Sequence, residues 1–343
     1  MEKRKEIDFV NILLCILVIL IHILSRSVTS LDKTSIQYLA VLIPSRLASF
    51  VVQGFIFLSG IKYFMKYNEN DFRYIPFLRT RVKTVLFPYI LWNVIYYLTL
   101  IPLGYFKFNI FELIKYIAMG NMISHFYFVV IIMQFYILMP LWIKLLKIAD
   151  ERLILVGSLI LMIVFGKYIL MGFKYNDRIS FKYIFYWIAG CLAGRHFTEF
   201  LILVRKHKNK IIIMYVLIAA IDSVFTYLNN TKGFIPELEY IHILYCIIAI
   251  VFVFTVCGKL MVYVDNAFFA VINRQSYNIY LSHCLVLYYC DHFMNIAGVY
   301  SAKCVLLVRL LSCYIITYVL WRAYDTLMAK KVVQVAVDRD VDS

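Results

Sequence analysis

The chain has 343 residues, of which 63% are hydrophobic and 16% charged, and its mean hydropathy is +0.81. Soluble domains lie nearer ~45–50% apolar and ~25% charged, so the composition excludes a soluble globular protein and indicates an integral membrane one. A net charge of +15 would suggest nucleic acid in a soluble chain. Here the cations stand between apolar runs, without an aromatic-interleaved basic stripe or zinc-finger spacing; they suit orientation and anionic membrane lipids, not nucleic acid.

Ten apolar runs long enough to span a bilayer are predicted, at 7–25, 42–64, 84–103, 126–146, 153–171, 183–200, 211–228, 241–263, 278–297 and 303–322. Their lengths suit helices rather than barrel strands, which need only about ten alternating residues each. The expected fold is an all-α polytopic membrane protein of about ten transmembrane helices. It forms a single domain over 1–343, with no separate soluble domain and with 323–343 as a short cytoplasmic tail. Asp8 opens the first run and no small-residue cleavage site follows, which predicts a retained span rather than a signal peptide.

Lys and Arg are more than twice as numerous at the N-terminus and in 66–83, 144–152, 195–210, 259–277 and the C-terminal segment as in the alternate loops, so both termini are expected in the cytoplasm. The loop 167–182, with Lys167, Lys174, Arg178 and Lys182, runs against this rule. No internal repeat is visible, which speaks against a transporter built from inverted halves. The eight cysteines lie mostly inside apolar runs and none forms C-x-x-C, so they are read as small packing residues, with no metal expected.

In the first run, "DFVNILLCILVILIHIL", Asn11 and His22 are eleven residues apart, about 16 Å along a helix and only about 20° apart in azimuth. Asp8 lies on nearly the same stripe. A polar group facing lipid costs a few kcal/mol, so the stripe is expected to face a bundle interior or a watery cavity. His22 is then a base whose proton affinity lies near neutral pH, a partner in a helix–helix hydrogen bond, or a ring lying in the outer headgroup zone.

The second run ends "GFIFLSGIKYF", where Ser59 and Gly60 read first as close-packing residues. "RTRVKTVLFPYILW" places Arg79, Arg81 and Lys83 before the third span, as positive-inside anchors or as a grip for donor phosphates, with Pro88 starting or kinking the helix. "ISHFYFVVIIMQFYILMPLW" offers Ser124 and His125 at its start and Gln134 at mid-helix, the last expected to face the core. "NRQSYNIYLSHCLVLYY" puts Tyr280 and His283 one turn apart, nearer the inner side than His22 and not required to touch it. Asp222 is a further intramembrane acid without an assigned partner.

Together these stretches resemble the membrane acyltransferase-3 family. Its members run from an acidic residue through arginine to a histidine, then an "FFFLSGF"-like stretch, a basic segment leading to "PY", an "H-x-W-F-L"-like stretch and a late "YL-x-H". The counterparts here are Asp8, His22, "FIFLSG", "RTRVKTVLFPY", "HFYF" and "YLSH", in the same order across nearly the whole chain. "TRVK…L-x-PYIL" and "FVVIIMQF-x-IL" look most like the branch associated with poly-N-acetylglucosamine (intercellular adhesin). Where the family usually has arginine eleven residues before the first histidine, this chain has Asn11. Asparagine hydrogen-bonds a donor but does not neutralise a phosphate, which moves that task to Arg79, Arg81, Lys83 or Arg46. Cys284 stands where proline commonly follows the last histidine.

The resemblance implies an O-acyltransferase of the bacterial cytoplasmic membrane. Its donor would be cytoplasmic acyl-CoA (acetyl-CoA or succinyl-CoA), with no bound cofactor, and its acceptor a hydroxyl of a cell-surface or lipid-linked glycan. His22 would act as base or acyl carrier, with Asp8, His125, His283 and Tyr280 as further catalytic candidates and Ser59, Gly60, Ser124 and Gln134 lining the site. Two other readings stand beside it: an exporter or flippase-like component of polysaccharide synthesis without acyl chemistry, and a partner of a glycan synthase complex.

Overall fold

The computed structural model describes residues 5–66, 72–170, 172–260 and 264–341, and the regular elements among them are helical. In chain order the α-helices are α1 (Lys5–Ser30), α2 (Ile36–Ala48), α3 (Val51–Phe64), α4 (Tyr74–Arg81), α5 (Phe87–Leu100), α6 (Ile110–Met119), α7 (Tyr127–Ile137) and α8 (Met139–Ile148). They continue as α9 (Glu151–Val164), α10 (Ile184–Arg195), α11 (Phe197–Lys206), α12 (Lys208–Lys232), α13 (Leu238–Leu260), α14 (Ala267–Ile296) and α15 (Ala302–Val341).

Local chemistry sets many of these limits. The Asn109 side chain accepts from the N–H groups of Phe111 and Glu112 at 2.9 and 3.3 Å, starting α6; Asp150 does the same for Arg152 and Leu153 at 2.9 and 3.1 Å, starting α9. Gly120 ends α6 at φ +63, where a Cβ would also stand 2.8 Å from the Tyr127 Cα. Pro140 lies in the first turn of α8, and α7 and α8 are bent by 56° there, since its ring cannot continue the preceding hydrogen-bond ladder. A π turn, Val82–Leu86, joins α4 to α5 immediately before Pro88, and another, Phe165–Ile169, ends α9. Such extra-residue turns re-aim side chains.

Among the described residues, six helical stretches are long and apolar enough to cross a membrane, α2 and α3 together forming one (Ile36–Phe64), or up to eight if the bent pairs α7/α8 and α10/α11 each count as one span. The expected run at 84–103 is carried by the 14-residue α5 behind its π turn. The run at 278–297 lies within α14, whose first half holds Asn273, Arg274, Gln275 and Ser276. The segment 323–341 continues α15 as helix, having no proline or glycine to stop it. Lys3, Arg4, residues 67–71 and 261–263 and the last two residues, all part of the charge argument or the tail, lie outside the described residues.

The chain divides into two compact units, residues 1–48 with 257–343, and 49–256. In the first, α1 packs against α2, α14 and α15, and α14 against α15. In the second, α3 and α10 are the closest pair. A Cβ on Gly190 would fall 2.2 Å from the Phe57 carbonyl oxygen, one on Gly194 2.7 Å from that of Ile61, and one on Gly60 2.8 Å from the Cys191 nitrogen. Small residues allow this backbone approach, which supplies the packing attraction that lipid does not. Helix α12 is turned inside out relative to a soluble helix: Ile213, Val216, Leu217, Ile221 and Val224 are exposed, while Ala219, Asp222 and Thr226 are buried. That is the pattern of a helix whose solvent is hydrocarbon.

Candidate active site

The first unit holds the polar stripe of α1 against α14. Near one end, the Asn11 amide donates to the Asn273 Oδ1 at 2.8 Å and the Ser276 Oγ at 3.0 Å. Asn11 is buried, so the residue standing where the family usually has arginine ties two helices together. Asp8, half-buried, has a buried Oδ2 without a hydrogen-bond partner among the described residues. Arg46, at the end of α2, is half-exposed.

Three turns along α1, His22 meets His283 of α14, their ring centroids 5.2 Å apart and tilted by 51°. The expectation that these two histidines need not touch is therefore corrected. Asn11 meets Ser276 and, eleven residues further along α1, His22 meets His283, seven residues further along α14, so the same two helices are in contact at both points. His283 is fully buried and His22 half-buried. The Nδ1 of His283 lies 3.1 Å from the Ile279 carbonyl oxygen and 2.9 Å from that of Tyr280. Carbonyl oxygens only accept, so Nδ1 carries the proton and the ring lone pair is placed on Nε2. Tyr280 is buried, its ring centroid 6.4 Å from that of His283.

Sequence reasoning missed two residues here. Arg309 of α15 is buried, and its Nε donates to the Ile23 carbonyl at 3.0 Å and its Nη2 to that of His22 at 2.6 Å. Its Nη1 pairs with Asp291, which also holds Arg26 at 2.9 Å. The guanidinium thus clamps the α1 backbone at the residue bearing the imidazole. The signal was present in "LVRLLSCYIITYVL", since an arginine inside a spanning run needs a buried partner.

The remaining candidates lie in the second unit. His125 is buried with its ring edge-on to Phe126 at 4.8 Å, while the neighbouring Ser124 is exposed on the turn before α7. Gln134 faces inward and fastens a loop: its Nε2 donates to the Arg178 carbonyl at 2.7 Å, and its Oε1 accepts from the Ser180 N–H at 3.0 Å. Ser59 bonds back to the Phe55 carbonyl at 2.7 Å, and Gly60 sits at the α3–α10 contact. Arg79 and Lys83 are exposed, whereas the Arg81 guanidinium lies 5.1 Å from the ring centres of both Phe77 and Tyr136. Asp222 finds its partner in His242, whose Nδ1 is 3.4 Å from its Oδ1.

Helices inside out to water and a paired-imidazole site buried among them define a multi-pass, all-α membrane protein. The family model for an acyltransferase domain matches residues 4–322, and the chain belongs to that acyltransferase-3 family. Relatives from Staphylococcus aureus strains MSSA476 and MRSA252, each named "Probable poly-beta-1,6-N-acetyl-D-glucosamine export protein", are 26% identical over 300 residues, covering 83% of this chain and 82% of theirs. No solved structure matches the chain.

Proposed function

We propose that this protein moves an acyl group from cytoplasmic acyl-CoA to a hydroxyl of a cell-surface or lipid-linked glycan in the bacterial cytoplasmic membrane. The observation that carries the reading is the His22–His283 pair, with the His283 proton held on Nδ1 by two carbonyl oxygens. His22, the more accessible ring, takes the proton of the acceptor hydroxyl as its oxygen attacks the thioester carbonyl. The C–S bond then breaks, and the departing thiolate takes up the proton. His283 is a positioning residue that fixes the orientation of the His22 ring. Tyr280, Asp8 and His125 remain further candidates, each tested by its own alanine variant.

The donor's phosphates fall to Arg46 of the first unit or to Arg79, Arg81 and Lys83 of the second, because the Asn11 amide is engaged by α14 and carries no charge. Neutralising these cations is expected to raise the KM for acyl-CoA more than it lowers kcat. Ten spans with both termini in the cytoplasm complete this reading, and they place the donor cations Arg79, Arg81 and Lys83 on the inner side.

His22→Ala is expected to abolish acylation of the surface glycan, read by mass analysis, while the variant still inserts. Normal acylation by well-inserted His22→Ala would reject the proposal. A second reading, export without chemistry, is favoured by the printed names of the relatives. Under it, deletion leaves polymer inside the cell instead of under-acylated polymer outside.

A further inference from the structure

The second unit contains a cavity of about 240 Å³ that the acyl-transfer reading does not use. Its wall is built by Gln53 of α3, Lys167 on the π turn after α9, Lys182, and Glu239, Tyr240 and His242 of α13. Two of the cations that run against the positive-inside rule are thus accounted for: Lys167 and Lys182 face this cavity. The others in that loop serve the loop itself. Arg178 donates to the Met119 carbonyl at 2.7 Å and pairs with Asp177 and Asn121, and Lys174 lies over Tyr175 at 5.7 Å.

The chemistry of the wall narrows the ligand. Lys182 and Glu239 stand 4.0 Å apart, and Lys167 lies 5.3 Å from the Tyr240 ring centre. An imidazole backed by the buried Asp222 and a glutamine side chain add donors and acceptors. A phosphate or sulfate would meet the Glu239 carboxylate, and a free amine would meet two ammonium groups. A hydrocarbon chain would take these charged and polar groups out of water while offering them no hydrogen bond of its own. A neutral ring bearing several hydroxyls matches a mixed donor and acceptor wall with flat aromatic faces, and the volume lies below the ~300 Å³ at which drug-sized sites begin.

We infer that this cavity binds a single hexose-type ring of a neutral or mixed-charge glycan, with Tyr240 supplying the face it rests on and Lys182, Glu239 and His242 its hydroxyl partners. The inference rests on the glycan substrate of the proposed function, though not on acyl transfer. On the topology proposed above, the cavity opens on the outer side of the membrane.

The test is binding of β-1,6-linked N-acetylglucosamine oligomers to the detergent-purified full chain, by saturation-transfer NMR and titration. Wild type is expected to bind, and both Tyr240→Ala and Glu239→Gln to bind about tenfold more weakly, the size of one lost charged hydrogen bond or stacking face. Each variant is checked for an unchanged size-exclusion profile. Inorganic phosphate at equal concentration is expected not to compete. Undiminished binding by both folded variants, no binding by wild type, or competition by phosphate that strengthens in Glu239→Gln would each overturn the inference. His22→Ala is expected to bind the oligomer like wild type. If glycan is bound yet no acylation is found in wild type, the acyl-transfer reading falls and the cavity stands. If His22→Ala alone loses binding, the cavity inference falls instead.

Discussion

Arg309 and His283 define the chemistry of the first unit at the level of single groups. His283 donates from Nδ1 to two carbonyl oxygens, and its Nε2 lies 3.4 Å from the Cys284 Sγ, so both ring nitrogens are held and the ring is fixed beside His22. His283→Gln is expected to lower kcat for acylation about 10²-fold without loss of insertion, since an amide can still donate to those carbonyls but no longer holds the His22 ring in place. Arg309 grips the carbonyl oxygens of His22 and Ile23 while paired with Asp291. Arg309→Met removes one partner of a buried ion pair, a change that costs about 3 kcal/mol or more. A lowered thermal midpoint of the purified protein and reduced acylation are expected together, with Arg309→Lys recovering only part because it lacks the planar fork. A double variant, Arg309→Met with Asp291→Asn, is expected to be less destabilised than Arg309→Met alone.

Among the elements, the α3–α10 contact is the one most dependent on the absence of side chains. A Cβ at Gly190 would lie 2.2 Å from the Phe57 carbonyl oxygen, so a larger residue must push the helices apart. Gly190→Leu is expected to lower the thermal midpoint by an amount matching ~1–3 kcal/mol of overpacking or more, whereas Gly157→Leu, with nothing within 4 Å of its Cβ position, is expected to leave it unchanged. The two π turns have a different role. Each precedes or carries a cation of interest, Lys83 in one and Lys167 in the other, and an extra residue in the helical ladder changes where such a side chain points.

For the whole molecule, the decisive quantity is which loops face which side. Cys304, beside the short 298–302 connection, is exposed, and it is unlike the six buried cysteines and the half-buried Cys290. If both termini are cytoplasmic, an impermeant maleimide added to intact cells is expected to label Cys304, and Cys304→Ser to remove that label. Labelling only after permeabilisation would invert the topology. The cavity of the second unit would then face the cytosol.

Composition and run length by themselves determined that this chain is a helical membrane protein, because burying ~20 apolar residues in hydrocarbon is a local property of a segment. Proline and glycine placement likewise foretold the helix start at Pro88 and the close packing at Gly60, whereas the bend at Pro140 was not foreseen. The ordered motifs carried the family. Pairings across helices were decided only by the tertiary structure. Asn11 could be seen to be polar and inward, though not that Asn273 and Ser276 would take its amide protons. His22 and His283 were each legible as unusual, and their contact was not, since the tilt and offset between α1 and α14 are set by packing. Asp222 acquired His242, and Lys167 and Lys182 a cavity, through the same cause: an interaction between distant segments depends on which helix faces meet, and a linear pattern gives each face without its neighbour.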